Sequence, residues 1–118
     1  MGPEVGIRRV YDPPSAGDGR RILVDRMWPR GLKKEEAHLS EWLKELAPSA
    51  GLRKWFAHDA SKWEEFRRRY AAELEEKRED LEQLRRECRK EKATLLFAAR
   101  DEERNNAVVL KEVLEQGD

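Results

Sequence analysis

Hydrophobic and polar positions change period several times along this chain, and each change marks an element. Val5 and Ile7 alternate with polar neighbours and Val10-Tyr11 closes the run, so residues 5–11 predict a first strand. It stops at Asp12-Pro13-Pro14. Residues 13–19 predict a loop, because two prolines cannot donate to a ladder and two glycines favour positive φ; they lack the spacing of a phosphate-binding loop. Arg21-Ile22-Leu23-Val24-Asp25 predicts a second strand, and its consecutive apolar residues imply burial on both faces, as in the middle of an α/β sheet.

From Leu32 the pattern turns helical for about sixty residues, with breaks at Pro48 and around residues 57–60. Ser40 and Ser49 are candidate caps. Ser61-Lys62-Trp63-Glu64 has the form of a capping box and predicts a helix start. Beyond it, Trp63, Phe66, Tyr70, Leu74, Leu81, Leu84 and Cys88 fall on one helical stripe. That stripe predicts one long amphipathic helix, or two with a break near Lys77 to Asp80. Thr94 to Ala99 predicts a third strand, apolar on both faces, and residues 105–116 a last helix.

The expected fold is a single small α/β domain over residues 1–118, with a three-stranded, mostly parallel sheet packed against several helices. A long helical crossover joins the second and third strands, so they should run parallel and end on the same edge, where open α/β sheets bind ligands. The orientation of the first strand stays open: its loop is short for a crossover and long for a tight hairpin.

Composition narrows the function. With 118 residues the chain can bury a core but not build two domains. Its 25 basic and 25 acidic residues cancel, so no global field draws in nucleic acid or anionic membrane, and nucleic-acid binding would need a local patch. No run approaches a membrane span, and no apolar leader occurs in the first thirty residues, so the expectation is a cytoplasmic protein. The lone Cys88 can form no internal disulfide, and no His, Cys or carboxylate cluster has metal-ligand spacing, so neither metal nor cofactor is expected.

The strongest site-like segment is Leu23 to Gly31, a buried strand that ends in Asp25, Arg26, Trp28 and Arg30 beside Pro29 and Gly31. Asp25 is a candidate base or orienter, and Arg26 and Arg30 are candidate anion clamps. Either could equally tie the strand end to its neighbours by ion pairs. Trp28 suits a pocket wall, and Arg53, on a short helix, could join the basic rim. His58, followed by Asp59, is the natural proton-transfer candidate, although a surface or capping role competes. The predicted topology sets Arg100, Asp101, Asn105 and Asn106 on the same rim, where the last helix points free amides at any anion. Arg67-Arg68-Arg69 beside Tyr70 hints at nucleic acid, but on a helix whose other face is core it reads as a solvated, charge-balanced face.

Arg9-Val10-Tyr11-Asp12, Asp25-Arg26-Met27-Trp28-Pro29-Arg30-Gly31, Pro48-Ser49, Leu52-Arg53, Phe56 with His58, and Thr94 to Ala99 followed by Asn105 and Ala107 resemble the YeaO-like proteins of domain-of-unknown-function family 488. The resemblance implies a small bacterial cytoplasmic α/β domain whose most characteristic element is this strand end. It also implies that distant relatives carry a Cys-His-Arg run near the start of the last helix, and that other YeaO-like proteins often place histidine where this chain has Asn106. Lacking both, the strand-end turn reads as a binding clamp rather than a nucleophilic centre. Two functional readings follow: a site for a small phosphate- or carboxylate-bearing ligand, with or without catalysis, or a module that binds nucleic acid or a protein partner through arginine and tryptophan.

Overall fold

The computed structural model describes residues 2–116. β1 (Gly6–Arg9), β2 (Arg20–Leu23), β3 (Glu41–Trp42) and β4 (Ala93–Phe97) form one sheet in the order β1-β4-β2-β3, with every neighbouring pair parallel. The sheet thus has four strands rather than the three expected. The added strand is two residues long, and it replaces part of the helix expected from Leu32 onward. Only α1 (Lys34–Ala37) forms there, and it stops at His38, which sits in the left-handed region at φ 49°. The backbone then turns to pair with β2, with Ser40 N–H donating to the Arg21 carbonyl at 2.8 Å and Leu43 N–H to the Leu23 carbonyl at 2.9 Å.

The orientation of β1 is settled by insertion. β4 lies between β1 and β2, so residues 10–19 need only step across one strand and return along the sheet. That path is about 10 Å sideways and about 13 Å back, well within the reach of ten residues. A turn of 3₁₀ helix at residues 16–18 closes the connection. Its cap is a reciprocal box in which Ser15 accepts from Gly17 N–H at 3.3 Å while Asp18 accepts from Ser15 N–H at 3.0 Å. Asp18 is also the hub of a buried ion cluster, accepting from Arg21 at 2.5 Å and Arg8 at 2.9 Å.

α2 (Ala50–Phe56), α3 (Trp63–Glu75), α4 (Arg78–Lys90) and α5 (Asn106–Gln116) complete the fold. The amphipathic stripe from residue 63 to 88 therefore divides into α3 and α4 at Glu76 and Lys77. Ser49 caps α2 by accepting from Leu52 N–H at 3.1 Å. Ser40 caps no helix; its hydroxyl accepts from Arg21 N–H at 3.0 Å. The expected box at Ser61 is displaced by two residues: Asp59 accepts from Ser61 N–H at 2.9 Å and from the Ser61 hydroxyl at 2.7 Å, and α3 starts one 3₁₀ turn later.

Strand alternation sorts the core into two layers. Ile22, Val24, Leu95 and Phe97 pack with Phe66, Tyr70, Leu74, Leu84 and Leu110 of the helices. Leu23 and Leu96 face the other way and are covered by Trp28, Leu32, Leu39 and Trp42. The segment that follows Asp25 is therefore itself a lid on the second face of the sheet, which fixes where its charged residues stand. No described helix is long and apolar enough to cross a membrane.

Candidate functional site

All three long strands end on one edge, and a cleft of about 410 Å³ opens there. Its wall is built from Asp25, Arg26, Met27, Trp28, Pro29 and Arg30 after β2, from Ala98 and Ala99 after β4, and from Tyr11 after β1. Pro48, Arg53, Phe56, His58 and Phe66 close the helical side, and Arg104, Asn105 and Asn106 close the entry to α5. Every residue proposed from sequence for catalysis or binding, namely Asp25, Arg26, Trp28, Arg30, Arg53, His58, Asn105 and Asn106, lines this one cleft. Arg100 and Asp101, expected on the same rim, do not. Tyr11, Phe56, Phe66 and Arg104 carried no site signal in the sequence and join through the topology alone.

Asp25 sits at the floor. One carboxylate oxygen accepts from Ala98 N–H at 3.0 Å and the other from the Asn106 side-chain amide at 3.0 Å. The same Asn106 nitrogen donates to the Val24 carbonyl at 2.9 Å. Desolvation raises the Asp25 carboxyl above its ordinary value, against the opposing pull of Asn106, Ala98 N–H, His58 and Arg53. His58 is exposed and held in the left-handed region at φ 59°, directly after Ala57 at φ 44°. This sharp reversal turns the chain from α2 toward α3 and leaves His58 on the cleft wall.

Several candidates also have structural duties. Trp28 donates its indole N–H to the Leu32 carbonyl at 2.6 Å and meets Trp42 edge-on, with ring centroids 5.4 Å apart. Arg26 Nε–H donates to the Pro48 carbonyl at 3.0 Å, tying the strand end to the start of α2. Asn105 is buried as the cap of α5: it accepts from Val108 N–H at 3.1 Å and donates to the Asp101 carbonyl at 2.9 Å. Arg53 Nη2–H donates to the Met27 sulfur at 3.6 Å, and its charge also acts on Asp25.

The charge balance of the cleft departs from that of the whole chain. Four arginines face one carboxylate among its lining residues. Elsewhere Arg8, Arg20, Arg21, Arg67, Arg68 and Arg85 each reach a carboxylate; among the described residues Arg26, Arg30 and Arg53 form no ion pair, as is also true of Arg9, Arg86 and Arg100 outside the cleft, whereas Arg104 at its edge pairs with Asp101. The basic run on α3 is neutralised, with Arg67 bound to Glu64 and Glu112 and both Arg68 and Arg69 bound to Glu65. Among the described residues no group of three or more His, Cys, Asp or Glu is placed to hold a metal ion. The lining includes no cysteine, serine, threonine or lysine.

Fold and cleft together define a small parallel α/β domain with an arginine-lined cleft at the carboxyl edge of its sheet. The chain belongs to the YeaO-like DUF488 family: residues 4–117 match the model described as the inactive DUF488-N3 subclade. It is 44% identical over 107 residues to the uncharacterised protein YeaO of Escherichia coli, covering 91% of this chain and 93% of that one. It is 37% identical over 110 residues to the uncharacterised protein Rv3073c of Mycobacterium tuberculosis, covering 93% and 92%. No solved structure matches the chain significantly.

Proposed function

We propose that this protein binds a small phosphate- or carboxylate-bearing molecule in the strand-end cleft. The observation that carries this reading is the set of three arginines, Arg26, Arg30 and Arg53, gathered on one concave surface with no ion pair among the described residues and with Asp25 as the one carboxylate lining it, in a chain of zero net charge. Guanidinium groups that outnumber the carboxylate beside them are only partly compensated, and an oxyanion held between two of them gains charge-assisted hydrogen bonds. Concavity favours a small ligand over a long polyanion, which the nucleic-acid alternative would need.

The reading is one of binding rather than covalent catalysis. The lining lacks the hydroxyl and thiol nucleophiles of such chemistry apart from Tyr11, whose phenol is spent on the Arg30 carbonyl at 2.7 Å. The subclade description, inactive, agrees with it. Asp25 and His58 remain groups that hold or exchange a proton beside the bound anion.

A thermal-shift titration with inorganic phosphate, short-chain carboxylates and a short oligonucleotide tests the proposal, comparing the native chain with Arg26→Ala and Arg30→Ala. Stabilisation by a small anion that is lost in both variants is the expected result. Stabilisation equal in all three proteins overturns the clamp, and stabilisation by the oligonucleotide alone, falling steeply with salt, favours the alternative.

A further inference from the structure

The anion reading accounts for the arginines but not for the apolar half of the cleft. The large hydrophobic side chains left exposed on the described surface are Tyr11, 39% accessible, and Met27, 58% accessible, and both line this cleft. They come from different strand ends, so no single loop has simply failed to pack. An inorganic anion would leave them in water. Behind them the cleft reaches Phe56 and Phe66, which stack with centroids 4.3 Å apart. The aromatic walls have also committed their polar hydrogens elsewhere: the Trp28 N–H donates to the Leu32 carbonyl and the Tyr11 hydroxyl to the Arg30 carbonyl. What those two side chains offer the cleft is ring carbon.

We infer that the ligand is an aromatic anion, with its acidic group held by Arg26, Arg30 and Arg53 and a planar ring covering Met27 and Tyr11. This inference rests on the anion reading and specifies its substrate class. Planarity is favoured over an aliphatic body for two reasons. Guanidinium planes and aromatic walls both gain from a stacked ring. The Met27 sulfur, 3.6 Å from an Arg53 nitrogen, is a flexible, polarisable partner for a ring edge. The Arg9 guanidinium, outside the cleft lining and bonded to the Ala98 and Ala99 carbonyls, lies over the Tyr11 ring 5.0 Å from its centroid, which holds that ring in place and leaves a ligand its other face.

The test is a calorimetric or NMR titration of the full chain with four probes: inorganic phosphate, ribose 5-phosphate, phenyl phosphate and phenol. Phenyl phosphate is expected to bind at least tenfold more tightly than ribose 5-phosphate, which matches its charge but has a saturated, polar ring in place of an aromatic one. Met27→Ala, at an exposed position where folding is not at stake, should reduce that ratio at least threefold, and Tyr11→Leu should act in the same direction. Equal affinity for the two phosphate esters overturns the aromatic inference while leaving the anion reading intact. Phenol binding as tightly as phenyl phosphate overturns the anion reading and the proposal with it. A chain that binds none of the four probes overturns both.

Discussion

The Asn106 side-chain nitrogen lies 3.0 Å from Asp25 Oδ1 and 2.9 Å from the Val24 carbonyl, so one amide group joins the end of β2 to the first residue of α5. The two residues are 81 positions apart. Asn106 therefore neutralises nothing; it supplies donors to a carboxylate and a carbonyl that the fold has partly removed from water. Replacing it by alanine strips a hydrogen bond from each acceptor and should cost about 1–3 kcal/mol in urea unfolding. Asn106→Asp should cost more at neutral pH, because two carboxylates then share the site, and should recover in acid as one protonates. An unchanged midpoint in both variants would show that the tie carries no energy.

Asp25 and Asp18 should contribute to pH dependence with opposite signs. Burial raises the folded-state pKa of Asp25, so the native protein holds that proton more tightly than the unfolded chain. Its contribution to stability is present in acid and declines as pH rises from the ordinary value of 3.8 through the raised folded value. Burial also acts to raise Asp18, but the Ser15 N–H, Arg8 and Arg21 more than offset it, and its pKa ends below 3.8. Asp18 therefore stabilises fully above that value and loses its contribution as pH falls through the folded one. Equilibrium unfolding from pH 3 to 7 should show the native chain losing ground against Asp25→Asn as pH rises and gaining ground against Asp18→Asn. At neutral pH Asp18→Asn should be the severe variant, at about 3 kcal/mol or more, because it leaves the Arg21 guanidinium buried without its carboxylate.

Much of this arrangement can be read in the sequence because strong local signals agree with the fold. Ile22-Leu23-Val24 and Leu95-Leu96-Phe97 are apolar on both faces and become paired central strands, in register from Ile22 with Leu95 to Leu23 with Leu96. Their parallel pairing follows from the helical crossover, and it is what brings Asp25 and Asn106 to one edge. β3 was not readable for a specific reason. Leu39, Trp42, Leu43 and Leu46 stand at i, i+3, i+4 and i+7, the spacing of a helix, yet the open edge of β2 captures the backbone at Ser40 and Leu43. Tertiary pairing overrides local period there. The aromatic part of the helical side was hidden for another reason: Phe56 and Phe66 look like ordinary core positions on α2 and α3, and only the assembled fold shows that their shared stack borders the cleft.

Trp28 separates packing from hydrogen bonding at the cleft wall. Trp28→Phe keeps a ring against Trp42 but removes the N–H donated to the Leu32 carbonyl, and should cost about 1 kcal/mol. Trp28→Ala also uncovers Leu23 and Leu96 and should cost about 3 kcal/mol or more. Chemical denaturation followed by circular dichroism distinguishes the two. If the two variants are equally destabilised, the indole N–H rather than the ring holds the segment in place.

Cys88 offers a chemical clock for the whole fold. It lies on the buried face of α4 with 6% of its surface accessible, and burial pushes its thiol above the ordinary value, against the smaller opposing effect of Arg20. Both factors suppress alkylation, because the thiolate is the reacting species and the reagent must also reach it. With no other cysteine in the chain, modification by iodoacetamide at pH 8 reports on this position alone. If α4 is released only when the domain unfolds, the native rate should fall below that of the urea-unfolded chain by on the order of the folding equilibrium constant, at least 10³ for an ordinary domain. The rate should then rise with urea in step with the loss of circular dichroism. Modification within tenfold of the unfolded rate in the absence of urea would mean instead that α4 opens by itself, leaving the parallel sheet and its strand-end cleft standing.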